Sequence, residues 1–422
     1  MSLPTTIHPS ELAPLIDAAA AAVEERVIAW RRDFHQHPEL GNRETRTAGI
    51  VAEHLISLGF DDVRTRVAHT GVVGLLKGAL PGPVVALRAD MDALPVTEEV
   101  DVPFASKAHT TWNGEQVGVM HACGHDCHTA ILMGVATVLA GLRSQLHGSV
   151  KFIFQPAEEM PPKGEEGGAK MMIQEGALQD PTPNAIFGLH VTSRLHVGLL
   201  GYRSGPTMAS SDRFSITVHG RQTHGAAPWL GVDPIVTSAQ VIMGLQTVVS
   251  RGVDISREPA VVTVGMIKGG VRENIIPDNV EMRGTIRTFD EAMRDDVHER
   301  VTTLAEAVSR GSRAGCTVCI EKNYPVTVND PALTELMVPT LQHVAGADKV
   351  LFVPKVTGSE DFSYFQQLVP GLFFFVGATR PEIDPAKAPA NHSPRFHVDE
   401  RALVLGVRSL AHLVADFVEA RA

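Results

Sequence analysis

The sequence predicts an α/β protein built on a mixed, largely parallel sheet between helices, with a small α+β domain inserted into it. Two observations carry this. Outside the insert, helical patterns alternate with short apolar strands that lack a polar face, the mark of a sheet covered on both sides. Inside it the order becomes strand, helix, two strands, helix, strand, that of a split ferredoxin-like unit. The outer, discontinuous domain takes residues 1–204 and 323–422, and the insert takes 205–322.

Residues 10–32 put Leu12, Leu15, Ile16, Ala19, Val23, Val27 and Trp30 at helical spacing. A second helix covers 45–58, where Gly59 stops it. The apolar run 84–88 ends in Ala-Asp-Met-Asp, so a buried strand delivers Asp90 and Asp92 to its carboxyl end. A helix over 126–142 follows Gly124, then strand 149–155, helix 167–175 and strand 185–191. Ligands of such sheets collect beyond the carboxyl ends of strands. The polar groups at 90–92, 158–159 and 190 all stand at such ends. In the insert, strands 213–219, 260–268, 280–288 and 315–323 combine with helices 234–251 and 290–310. Strand 371–376 and helix 400–420 complete the outer domain.

Composition narrows the class. A chain of 422 residues with 44 % hydrophobic and 20 % charged residues is globular, with room for two cores. The net charge of -11 and the absence of a basic patch exclude nucleic acid as a partner. The alanine-rich run 18–23 is too short to cross a bilayer, so no membrane partner is expected. Residues 1–10 show neither the basic nor the apolar region of a secretory signal. Four cysteines in so long a chain make no disulfide framework, and a cytoplasmic location is the expectation. Cys316 and Cys319 lie on one strand at an odd spacing and therefore point to opposite faces.

The chemistry concentrates in Met-His-Ala-Cys-Gly-His-Asp-Cys-His (120–128), with five ligating groups in nine residues: His121, Cys123, His125, Asp126 and His128. Gly124 permits a tight turn that aims Cys123 and His125 at one locus, and the helix N-terminus behind it favours a thiolate. Glu158 and Glu159 follow an apolar strand; adjacent side chains diverge, so one can bind metal while the other faces bound water. His190 closes a strand and His392 sits in a polar loop; a core histidine and a surface histidine are the rival readings. Thiolate, imidazoles and carboxylate with a carboxylate to spare describe a metal-dependent hydrolase. Two ions ~3.5–4 Å apart can share one hydroxide and polarise a carbonyl. Five ligands exceed what one tetrahedral catalytic zinc takes.

Met-His-Ala-Cys-Gly-His-Asp, Gln-Pro-Ala-Glu-Glu, Gly-Leu-His-Val, His-Gly-Ala-Ala-Pro, Asn-Ile-Ile-Pro-Asp and Gly-Ser-Glu-Asp-Phe occur in this order. The series resembles the M20 metallopeptidases, in particular the amidohydrolase branch with hippurate hydrolases, N-acyl-amino-acid amidohydrolases and auxin-conjugate hydrolases. The resemblance implies Cys123, His125, Glu159, His190 and His392 as ligands of two divalent ions per subunit, Cys123 bridging, and Glu158 as general base. Mn, Zn, Co and Ni all suit this donor set. Asp90 stands where most of the superfamily has a ligand His; Asp92 then orients a bound imidazole, and His128 is structural.

The insert becomes a lid and dimerisation domain by the same resemblance, with a homodimer as the expected assembly. His224 would reach the partner's active site and stabilise the oxyanion. Asn274, Arg287 and Gly358 match substrate-contacting positions. A guanidinium at 287 suits the free carboxylate of an N-acyl amino acid; a solvent-facing strand arginine is the alternative. The expected activity is hydrolysis of N-acyl or N-aroyl amino acids. A dipeptidase or aminopeptidase on the same scaffold is the near rival, and a binding protein that lost its chemistry the remote one.

Overall fold

A computed structural model describes residues 8–112 and 114–421. The chain divides into two compact units. One holds the chain up to Gly205 with Asn329–Pro354 and the stretch from Tyr364 onward; the other holds Pro206–Val328 and the short segment Lys355–Ser363.

The first unit is built on an eight-stranded sheet. Its four central strands run parallel, in the order His147–Gln155, Leu80–Asp90, Ala185–His196 and Gly371–Thr379. Gly71–Lys77 and then Asp62–Val67 extend one side antiparallel. Leu200–Tyr202 and Val350–Phe352 extend the other. All nine residues of Gly371–Thr379 are buried, which is why its sequence reads as an unbroken apolar run. Helix Ala13–Gln36 turns Ile16, Ala20, Val23 and Val27 inward against helices His125–Gly141 and Arg401–Glu419. Gly134 makes that approach possible. A Cβ there would lie 2.7 Å from Val27 Cγ2 and 2.9 Å from Val407 Cγ2.

Several elements were not apparent in the sequence, three of them long. The hairpin Asp62–Val67/Gly71–Lys77 alternates too irregularly to stand out. Helix Pro331–Ala345 carries Pro339 inside it, a residue that ordinarily marks a break. Its start is secured by Asp330, whose side chain accepts the Leu333 N–H at 2.7 Å.

The second unit has a four-stranded antiparallel sheet in the order Ala260–Gly269, Asn279–Thr288, Asp212–His219, Gly315–Lys322. Helices Pro234–Gly252 and Glu291–Gly311 cover one face, enclosing Phe214, Ile216, Val241, Leu245, Met282 and Val297. Cys316 packs at the margin of this core while Cys319 is exposed, as the odd spacing required.

A buried ion pair ties the sheet to the second helix. Arg294 meets the wholly buried Asp212 through Nε at 2.8 Å, and His298 Nε2 lies 2.8 Å from the same carboxylate. Burial alone would raise the Asp212 carboxyl, but Arg294 and His298 outweigh it and hold it below the usual range. Arg294→Leu leaves the buried carboxylate to His298 and the Asn323 N–H alone and should cost about 3 kcal/mol in denaturant unfolding. The depressed pKa also sets a sign. The stabilisation is fully present above about pH 4 and is lost as pH falls through the folded value. Among the described residues, no helix is long and apolar enough to cross a membrane.

Candidate metal centre

Gly124 makes the turn at which the centre begins. It adopts φ +97°, and a Cβ there would fall 2.3 Å from Val191 Cγ2, so only glycine fits. Cys123 and His125 consequently face one locus on the first unit. Cys123 Sγ lies 3.4 Å from His190 Nε2 and 3.3 Å from His392 Nε2. His392 Nε2 is 2.8 Å from Glu159 Oε1. Donor atoms of Cys123, His125 and His190 lie within 4.8 Å of one another, as do those of Cys123, Glu159 and His392. A third such set joins His125 to Glu158 and Glu159. Four chain segments thus bring five side chains into two overlapping triads that share Cys123.

Fixed partners turn the imidazoles. His125 Nδ1 donates to Asp92, 2.9 Å from its carbonyl oxygen and 3.1 Å from Oδ1, while Asp92 Oδ2 accepts the Glu159 N–H at 2.9 Å. One carboxylate therefore orients two of the predicted ligands. His190 Nδ1 donates to the Val191 carbonyl at 2.7 Å, leaving Nε2 toward the thiol. His128 is different. Its Nδ1 donates to Asp90 at 2.6 Å and its Nε2 accepts the Val191 N–H at 2.9 Å, so its lone pair is spent on the backbone. Asp90 is an anchor that the sequence did not reveal. It is wholly buried, takes Arg88 at 2.6 Å and fixes His128.

The electrostatics ask for a cation. Burial opposes charge on His125, yet Asp90 and Asp92 outweigh it and push the imidazole up to about 10. Burial and the neighbouring His128 keep His190 well below the usual range, hence neutral. The Glu159 carboxyl is lowered against the effect of burial by His392 and His125. At the thiol two effects oppose each other. Burial first, then Glu159 and Glu158, push Cys123 well up, against the pull of the helix N-terminus. His125 Nε2 is buried without a hydrogen-bond partner. An orphaned imidazole nitrogen, a thiol and carboxylates in excess form a donor set that fits divalent cations, which favour the thiolate over the thiol.

The other predicted residues stand in the second unit. His224 is exposed, and its Nδ1 accepts the Ala226 N–H at 2.9 Å. Asn274 adjoins it, its carbonyl accepting the Gly225 N–H at 2.8 Å. Arg287 is half-buried, and its NH1 donates to Ser359 Oγ at 3.1 Å. Burial lowers the guanidinium pKa, so an anion would be welcome there. Gly358 precedes that serine and accepts the Ala209 N–H at 3.0 Å. A Cβ on Gly358 would meet ordinary contacts at 3.6 and 3.7 Å, so crowding within the unit does not demand glycine.

Gly124→Ala tests the turn. Strain at positive φ and the Val191 contact together should cost on the order of 2–4 kcal/mol. Metal content, read by elemental analysis, should fall with stability because both flanking donors move.

A parallel-centred α/β sheet with this donor cluster at the carboxyl edge of its central strands is the frame of a metal-dependent hydrolase. The chain belongs to peptidase family M20/M25/M40, whose model matches residues 86–416. It is 40 % identical over 396 residues to thermostable carboxypeptidase 2 of Saccharolobus solfataricus, covering 94 % of this chain and 96 % of that one. It is 41 % identical over 307 residues to an N-acyl-L-amino acid amidohydrolase of Geobacillus stearothermophilus, covering 73 % and 79 %. Among solved structures it resembles a dinuclear metal-binding M20 peptidase of Bacillus subtilis, with a TM-score of 0.79 and 34 % identity over 95 % of this chain and 99 % of that one.

Proposed function

We propose that the protein hydrolyses the amide bond of N-acyl or N-aroyl amino acids, releasing a carboxylic acid and a free amino acid. The observation that carries this is the pair of triads sharing Cys123, with Glu158 beside them and 3.9 Å from His125 Nε2. Cys123, His125, Glu159, His190 and His392 would hold two divalent ions. Such ions, when bound, polarise the amide carbonyl and acidify water between them. Glu158 takes the proton of the attacking water and returns it to the leaving nitrogen. Asp92 keeps His125 and Glu159 in place through both steps. Arg287 binds the α-carboxylate of the substrate, with Asn274 and Gly358 lining the same substrate.

A second reading shares that carboxylate. The carboxypeptidase relative favours release of a C-terminal residue from a short peptide, an amide that also adjoins a free α-carboxylate. Assay of the metal-loaded protein against hippurate, N-acetyl amino acids and dipeptides separates the two. Turnover confined to dipeptides would overturn the first reading.

His224 completes the site of a second subunit in a homodimer formed through the second unit. Its exposure, with Trp229, Leu230 and Met243 also exposed on that unit, supports such an interface. His224→Ala should lose about 100-fold in turnover, the scale of one oxyanion donor. Mixing it with Glu158→Gln should restore partial activity, since some mixed dimers carry one intact site. Mixtures no more active than the parents would place His224 outside any shared site.

A further inference from the structure

The adjacent carboxylates hang from a turn that resists its own shape. Ala157 takes φ +52° and Met160 φ +97°, left-handed values that side chains disfavour, and Glu158 and Glu159 are the residues between them. Such a turn persists only where its surroundings fix it. Asp92 holds one point, accepting the Glu159 N–H. Glu44 holds the other. Its Oε1 accepts the Ala157 N–H at 2.9 Å, and its Oε2 takes the Thr70 hydroxyl at 2.5 Å.

Packing confirms that the turn has one seat. Cβ atoms built on Gly41 and Gly167 would lie 3.1 and 3.2 Å from the Ala157 Cβ, so the methyl is held between two glycines. Glu44 is wholly buried, although it stands at the start of helix Thr45–Ser57, where an acid ordinarily meets water. Burial, helped by the charge of Asp92, pushes its carboxyl up to about 8. A buried acid carries a desolvation cost, and the contact that offsets it here is one residue from Glu158.

We infer that Glu44 is a positioning residue for Glu158: by fixing the Ala157 N–H it keeps the strained turn in the form that aims the base. This rests on the reading of Glu158 as the base. Glu44 touches no reacting atom, and its effect falls on kcat through the geometry of proton transfer.

The test compares kcat, KM and metal content in Glu44→Ala, Glu44→Gln and Thr70→Val, with Glu158→Gln as reference. Glu44→Ala should lose about 100-fold in kcat, the scale of an ångström of misplacement. KM should stay within about threefold and metal content should be unchanged, because ground-state binding is untouched. Glutamine can accept the same N–H and donate to Thr70, so Glu44→Gln should recover at least about tenfold of that loss. Thr70→Val should fall between them. Wild-type kcat in Glu44→Ala, or a Gln variant no better than Ala, would overturn the inference. Should Glu44→Ala not fold, Thr70→Val decides, and wild-type kcat there counts against it. Near-normal turnover by Glu158→Gln would instead remove the base assignment, and this inference with it.

Discussion

Glu158→Gln should turn over substrate about 10²–10⁴-fold more slowly than the parent, the range that a positioned proton acceptor contributes. The amide is nearly isosteric with the carboxylate but cannot accept a proton near neutral pH. The variant should keep its metal, because Cys123, His125 and His190 close one triad without Glu158, and Cys123, Glu159 and His392 close the other. Elemental analysis and kcat, measured on one preparation, check both halves. Loss of metal together with activity would make Glu158 a ligand and leave the base unassigned.

Cys123→Ala should have the second large effect, on metal and not first on chemistry. Its sulfur belongs to both triads, so one substitution removes a donor from each. Metal content should drop well below that of the parent, and activity with it. The protein should nonetheless fold. The thiol is pushed toward its neutral form by burial and by Glu159 and Glu158, so its replacement by a methyl group strands no charge. A variant with full metal content would exclude the sulfur as a ligand.

These residues were legible in the sequence because they sit where the backbone leaves little choice. Cys123 and His125 flank a glycine that tolerates φ +97°, and Glu159 follows a strand of the buried sheet. His190, expected to close its strand, stands inside it, because strand Ala185–His196 runs on past its pairing with Leu80–Asp90. The family series then sorted ligands from bystanders. Residue type and spacing without the family series could not separate His125 from His128, three residues apart on one helix. Their hydrogen-bond partners do: Asp92 leaves His125 Nε2 open, whereas the Val191 N–H occupies that of His128. Glu44 was beyond reach for a related reason. Its partner Ala157 lies 113 residues away, and the contact is to a backbone N–H that no side-chain pattern encodes.

The fold shows the same division. The apolar strands and the ferredoxin-like order declared themselves through periodicity, whereas helix Pro331–Ala345 was hidden by Pro339. Segment Lys355–Ser363 groups with the second unit although it follows the insert in sequence, a property of tertiary contacts alone. At Cys123 two influences oppose each other: the helix terminus favours the thiolate, whereas burial, Glu159 and Glu158 favour the thiol until a cation is bound.

Anomalous diffraction from crystals grown with manganese or zinc tests the central claim most directly. The expected map holds two peaks per chain, one among Cys123, His125 and His190 and one among Cys123, Glu159 and His392, with the sulfur between them. A single peak, or peaks away from these side chains, would contradict it.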